Sequence, residues 1–311
     1  MSAQLDILAI GEPMVEFNQA KGAGSREYLQ GFGGDTSNFA IAAARQGARV
    51  GYFTRLGDDV YGRMLHDLWE REGVDASTVA IDPDAFTGIY FVTHDAKGHQ
   101  FSFYRAGSAA SRMKPSDLPL DALKGARVLH LSGISCAISA SAADTCYAAI
   151  EAARKLGVMV SFDTNLRLRL WPKDRARAVM TDMIGLSDIC LPSYDDIVIV
   201  TGLTDANALV DWCLDRGART VGLKLGAYGA LVANRERRIK LPPWPCEPVD
   251  ATGAGDTFGG AFVARLIAGD DIEAAGRYAS VAAALSTEGF GAVEPIPDAQ
   301  AVRRAIAGAA S

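Results

Sequence analysis

SAADTCYAAIEAARKLGVMVSFD, residues 141 to 163, passes from a helix to a strand across one glycine. Residues 141 to 157 carry a helical pattern closing on Gly157, which can cap it. The following GVMVSFD is a run of strand length, apolar on both faces, as in a sheet covered from above and below. The same alternation recurs on either side. LDILAI, ARVGYFT, RVLHLS, DICLP and TVGLKLG read as further strands, and SNFAIAAARQG (37 to 47) as another glycine-closed helix. Strands and helices in alternation predict an α/β fold, a largely parallel sheet with helices on both faces.

One region breaks that rhythm. TGIYFVTHDAKGHQFSFYRAG, residues 87 to 107, alternates apolar and polar around an AKG turn, the pattern of a β-hairpin. With the polar stretch 12 to 33 it can pair into a small sheet over the ends of the parallel strands, forming a lid. An antiparallel extension of the main sheet's edge satisfies the same pattern.

Composition excludes several classes. The 311 residues are 49% hydrophobic and 22% charged, with a formal net charge of −6. That is an ordinary globular balance, and its long-range field repels nucleic acid and anionic membrane. The N-terminus has no basic leader and no stretch approaches a membrane span, so a cytoplasmic location is expected. Five cysteines form no C-x-x-C pair and sit mostly among apolar neighbours, as buried reduced thiols do. The histidines lack metal-site spacing, and His130 in RVLHLSG reads as a core residue. NRERRIK (234 to 240) reads as a charged strand edge or solvated turn.

Neither familiar nucleotide loop is present: there is no G-x-x-x-x-G-K-[ST], and GAGDTFGG misses G-x-G-x-x-G by one place. DATGAGDTF (250 to 258) offers another way to hold an anion. Gly253 and Gly255 can take positive φ around the small Ala254, turning backbone N–H groups inward at a helix N-terminus. Asp256 follows in the first helical turn. Two readings stand for it: a carboxylate that complements the helix dipole, or a base placed to take a proton from a hydroxyl attacking a phosphoryl group. Asp250, at the preceding strand end, is expected to orient the loop or a hydrated metal.

DATGAGD together with GGDTSNFAIAAARQG (33 to 47) resembles the paired signatures of the ribokinase-like, pfkB-type sugar kinases. The resemblance extends in element order from AIGEPMVEF (9 to 17) through LGDDVYGRML (56 to 65) to GFGAVEPIP (289 to 297). It implies a three-layer αβα sandwich with a mostly parallel sheet and a small β-sheet lid. The core comprises 1–11, 34–86 and 108–311, and the lid 12–33 and 87–107. GGDTSN, FYRAGSAA (103 to 110) and DTNLRLRLW (163 to 171) most resemble the 2-keto-3-deoxygluconate kinases within that family.

What the resemblance implies for individual residues follows. Gly34 and Asn38 meet the sugar; Tyr90, Tyr104 and Arg105 close over it from the lid; Arg167 takes the substrate carboxylate, for which a planar, permanently charged fork is suited. Asn165, Ser193, Lys224, Gly226, Gly229 and Asp250 border ATP. Gly253, Ala254 and Gly255 form the anion hole, and Asp256 is the base. Magnesium falls to Asp196, because PSYDD places Ser193 and Asp196 where family members usually carry Asn and Glu; Asp195 is an alternative ligand. The implied activity is ATP-dependent phosphorylation of the terminal hydroxyl of 2-keto-3-deoxygluconate, with a homo-oligomer formed through the lid sheet. Phosphorylation of fructose or ribose, a catalytically weak sugar-acid-binding protein and a structural subunit are the competing expectations.

Overall fold

A computed structural model of the protein describes residues 4–20, 24–95 and 98–309. Its strands, in chain order, are β1 (Ile7–Ile10), β2 (Met14–Gln19), β3 (Tyr28–Gly33), β4 (Val50–Phe53), β5 (Arg55–Gly57), β6 (Ala80–Asp82), β7 (Ile89–Asp95), β8 (Gly98–Tyr104), β9 (Val128–Ser132), β10 (Met159–Asp163), β11 (Ile189–Leu191), β12 (Thr220–Lys224), β13 (Ala230–Ala233) and β14 (Arg238–Leu241). An eight-stranded sheet runs in the order β14-β13-β12-β11-β10-β9-β1-β4. From β4 to β12 the neighbours are parallel, and β13 and β14 complete the sheet antiparallel.

The side-chain alternation of each strand divides the core into two layers. Leu8, Ile10, Leu129, Leu131, Val160, Phe162, Val221 and Leu223 enter one apolar cluster with the helices Ala140–Leu156, Lys173–Leu186 and Ala206–Arg216. Ile7, Ala9, Val128, Ile189, Leu191 and Val232 enter the other, with the helices Asp35–Arg45, Val60–Glu72, Ala254–Ala268 and Ile272–Ser286. This is the three-layer αβα arrangement. The helix of the opening stretch starts where the Ser139 hydroxyl accepts from Ala142 N–H and stops at Gly157, whose φ of 73° suits a residue without Cβ.

The hairpin is present as β7 and β8, but it does not extend the main sheet. It joins β2 and β3 in a separate four-stranded sheet, ordered β3-β2-β7-β8. The register sets Asp95 opposite Gly98, while Ala96 and Lys97 of the AKG turn lie outside the described residues. NRERRIK leads into β14, the sheet edge, where Arg237 pairs with Asp271 and Glu273 and Arg238 with Asp211. His130 is buried in the core, stacked 3.4 Å from the Phe39 ring centre and hydrogen-bonded to the Ser161 hydroxyl, and burial pushes its pKa down. Cys136, Cys146, Cys190 and Cys213 are buried free thiols; Cys246 is half-buried. Among the described residues no single helix is long and apolar enough to cross a membrane.

Candidate active site

The carboxyl ends of the parallel strands converge on a cleft of about 1460 Å³, where ligands of such sheets gather. Glu12 enters it after β1, Asp163, Asn165, Arg167 and Arg169 after β10, Ser193 after β11, and Lys224 at the end of β12. Two helix N-termini complete the floor: Gly34 and Asp35 of Asp35–Arg45, and residues 253–256 of Ala254–Ala268. The small sheet contributes Met14, Tyr90, Phe101 and Phe103, followed by Arg105.

Gly253 supplies the turn into the helix Ala254–Ala268. Its φ is 77° as N-cap, and an added Cβ would lie 2.9 Å from the carbonyl oxygen of Ala292. Gly255, expected to share that backbone conformation, does not: it sits inside the first helical turn, where φ is negative, and a Cβ there would make only ordinary contact with Lys224. The expected set of amides also changes. Ala254 N–H is used in a turn to the carbonyl of Ala251 at 3.2 Å. Among the described residues the N–H groups of Gly253, Gly255 and Asp256 have no acceptor, so these three form the open donor set at the helix start.

Asp250 does not line the cleft. One carboxylate oxygen accepts from the N–H and hydroxyl of Thr252, at 2.9 and 2.6 Å, and the other from Gly291 N–H at 3.0 Å. It therefore ties the 250–253 turn to the closing GFGAVEPIP segment, and the expected contact with ATP is replaced by loop orientation. Gly229 likewise lies outside the cleft, with a φ of 90° that closes the turn into β13 beneath Leu241 and Pro242.

Asp256 lies in the middle of an acidic cluster. Asn38 donates its amide to Asp256 Oδ2 at 2.8 Å, fixing the carboxylate's orientation. Burial, followed by the charges of Asp35 and Asp163, raises the pKa of Asp256 from 3.8 to about 8. Asp35 accepts from the Asn165 amide at 3.0 Å, and Asn165 itself is held at φ 29°, the one positive φ outside glycine among the described residues. That conformation is stabilised by Asp163, which accepts from Asn165 N–H at 3.1 Å and pairs through its other oxygen with Lys224. Asn38 Oδ1 and Asp35 Oδ1 are buried without a protein partner, acceptors left for hydroxyl groups of a ligand.

Asp196 accepts from Leu166 N–H at 2.9 Å and from the Thr164 hydroxyl at 3.3 Å, so it also pins the loop after β10. It still faces the cleft, with Asp195 beside it. These hard oxygen donors fit a magnesium ion or its water shell. Ser193 lies at the same rim, where its N–H approaches Thr164 and its backbone bridges Lys224.

On the small sheet, strand alternation selects which side chains reach the cleft. Tyr90 is paired opposite Phe103 and Ile89 opposite Tyr104, so Tyr90 and Phe103 share one face while Tyr104 occupies the other. Tyr104 packs edge-on to Phe91, 5.9 Å between ring centres, and is 59% exposed. Tyr104, expected to close over the substrate, thus faces away from the cleft, and Phe103 lines it instead. Tyr90 donates its hydroxyl to buried Glu16, and Arg105 is paired with buried Glu12, which also accepts from the Ser108 hydroxyl at 2.7 Å. Arg167 is exposed within the cleft, with one guanidinium nitrogen donating to the Leu166 carbonyl at 2.9 Å.

Sequence reasoning passed over Glu12, Asp35, Asp163 and Arg169. All lie in quoted stretches, and for Asp163 a signal existed: an ionisable residue closes the largely apolar run VMVSF at the end of the strand where ligands collect.

The model of the pfkB family carbohydrate kinases matches residues 4–299. A 2-dehydro-3-deoxygluconokinase of Thermoproteus tenax is 34% identical, the alignment covering 95% of this chain and 92% of that one. A probable fructokinase-4 of Arabidopsis thaliana is 30% identical, covering 97% of each. The solved structure of a putative ribokinase II of E. coli in complex with ATP and Mg²⁺ superposes with a TM-score of 0.91 at 25% identity, over 98% of this chain and 99% of the other. With a cleft whose helix-start amides and buried carboxylate suit phosphoryl transfer, and a family match over nearly its whole length, the chain belongs to the pfkB family of carbohydrate kinases.

Proposed function

We propose that the protein phosphorylates the terminal primary hydroxyl of 2-keto-3-deoxygluconate with ATP, giving the 6-phosphate. Kinases of neutral and of acidic sugars are both among its relatives, only four percentage points of identity apart (34% against 30%). The distinction rests on the site. The observation that carries the reading is a guanidinium, that of Arg167, standing in the same cleft as Asp256 with no carboxylate partner among the described residues. A neutral sugar leaves that charge unused, whereas a sugar acid meets it with a fork that matches its carboxylate.

In this reading Gly34 and Asn38 border the sugar, Tyr90 and Arg105 cover it from the small sheet, and Arg167 binds the acid. Asn165, Ser193, Lys224 and Gly226 border the nucleotide. Asp196, with Asp195, offers oxygens to magnesium, which when bound neutralises charge on the nucleotide phosphates. Asp256 receives the proton of the terminal hydroxyl as that oxygen bonds to the γ-phosphorus and the bridging P–O bond of ATP breaks. The products are ADP and the phosphorylated acid. The N–H groups of Gly253, Gly255 and Asp256 face the transferred phosphoryl group and stabilise the charge it carries. The small sheet acts as the lid, limiting water that would otherwise accept the phosphoryl group.

Asp256→Asn keeps shape and the Asn38 contact but removes the proton acceptor, so turnover should fall by roughly 10²- to 10⁴-fold. ADP release measured with the purified variant and a panel of sugars and sugar acids tests both halves of the reading. Wild-type turnover in the variant would remove Asp256 as the base, and preference for neutral sugars would remove the acid substrate. We further propose that copies of the chain pair through the small sheet, whose edge strands β3 and β8 pair with no further strand among the described residues and whose two faces expose Tyr28, Leu29 and Tyr104.

A further inference from the structure

Four cationic side chains line the cleft: Arg105, Arg167, Arg169 and Lys224. Two are already neutralised, Arg105 by Glu12 and Lys224 by Asp163. A buried pair of this kind is costly to break, because separating it leaves an uncompensated charge behind. Neither cation is therefore freely available to an incoming carboxylate. Arg167 and Arg169 have no carboxylate partner among the described residues. They stand two residues apart in the loop after β10 and line the same cleft.

Arg169 has a second connection that Arg167 lacks. Its guanidinium donates to the Phe101 carbonyl at 3.3 Å and lies 6.0 Å from the centre of the Phe103 ring, both on the strand of the small sheet that covers the cleft. The guanidinium of Arg105 approaches the same ring at 5.6 Å. Phe103 thus has a cation from the core loop and one from its own strand, and only the latter is balanced by an acid. An anion beside Arg169 relieves that imbalance, and the planar fork can hold a carboxylate while its face remains on the ring.

We infer that Arg169 is a second carboxylate-binding residue for the sugar acid, and that its hold on Phe101 and Phe103 links recognition of the acid to the position of the lid. The inference rests on the proposed sugar-acid activity and adds a residue and a coupling to it. A neutral substrate has no group to satisfy Arg169, so the arginine also acts in specificity.

The test compares wild type, Arg169→Met and Arg169→Lys on 2-keto-3-deoxygluconate and on its uncharged carboxamide, with ATP saturating. Arg169→Met should raise KM for the acid at least tenfold, change KM for the carboxamide by less than threefold, and leave KM for ATP within twofold. Lysine should restore part of the loss on the acid, since it keeps the charge without the fork. Calorimetric binding of the acid in the absence of ATP should weaken in parallel, which separates a contact from a change in chemistry. An unchanged KM for the acid, or equal losses on acid and carboxamide, overturns the assignment while leaving the sugar-acid activity intact. Failure of the wild type to phosphorylate the acid at all would instead remove the activity, and the role of Arg169 with it.

Discussion

At the scale of single residues, Asp256 shows how an environment suited to catalysis is unfavourable for folding. Its pKa, about 8 against 3.8 for an ordinary aspartate, means that between those values the native protein retains a proton that the unfolded chain has released. Stability from that proton is complete below pH 4 and declines as pH rises towards 8. Asp256→Asn does not titrate, so its melting temperature should exceed that of the wild type by a margin that widens from pH 5 to pH 8 and then levels off. Scanning calorimetry across that range reads it, at roughly 2 to 4 °C for each kcal/mol recovered. The activity has the opposite dependence, since the base works only after losing its proton: kcat/KM of the wild type should climb with pH towards a plateau above about 8. A flat profile from pH 6 to 9 would contradict the role. DATGAGD pointed to Asp256 and to open amides beside it, yet it placed positive φ at Gly255 and a free amide at Ala254. Which amide a turn consumes depends on the exit of the preceding chain, here the Ala251 carbonyl, and composition alone does not set that.

At the scale of elements, the small sheet depends on buried polar pairs that join its strands. Glu16 on β2 accepts from the Tyr90 hydroxyl on β7, and desolvation raises its pKa above that of an ordinary glutamate despite this contact and one with Asn18. Removing one partner of a buried pair leaves the other unsatisfied, a cost of about 1 to 3 kcal/mol. Glu16→Ala should therefore lower the melting temperature and raise KM for the sugar acid, because Tyr90 loses the group that fixes its ring beside the cleft. Tyr90→Phe combined with Glu16→Ala should lose less than the sum of the single variants; strict additivity would mean that the pair does not position the lid. The hairpin carrying Tyr90 was legible from alternation alone. The face of each residue was not, because that requires the cross-strand register: pairing Tyr90 with Phe103 sends Tyr104 to the far side, although FYRAG reads equally well with either aromatic inward.

At the scale of the whole molecule, the αβα core was readable because every parallel strand is buried on both faces and every connecting helix closes within a short stretch. The cleft was only half readable, because its charge balance is set by residues distant in sequence: Glu12 with Arg105, Asp163 with Lys224, Asn38 with Asp256. Assembly is the level above. The main sheet buries β4 and charges its other edge near β14 with Arg237 and Arg238, whereas the small sheet's edge strands β3 and β8 pair with no further strand among the described residues, and apolar side chains are exposed on both its faces, Leu29 at 65% on the face of Tyr90 and Tyr104 at 59% on the other. Unprotected edges of this kind favour pairing with an identical edge about a two-fold axis. Leu29→Asp puts a charge on the edge strand β3 at a position with little packing to lose, so the monomer should remain folded with an unchanged melting profile at low concentration. Sedimentation velocity at tens of micromolar should then find a dimer for the wild type and a monomer for the variant. A wild type that sediments as a monomer, or a variant that still pairs, would show that the small sheet serves the cleft alone.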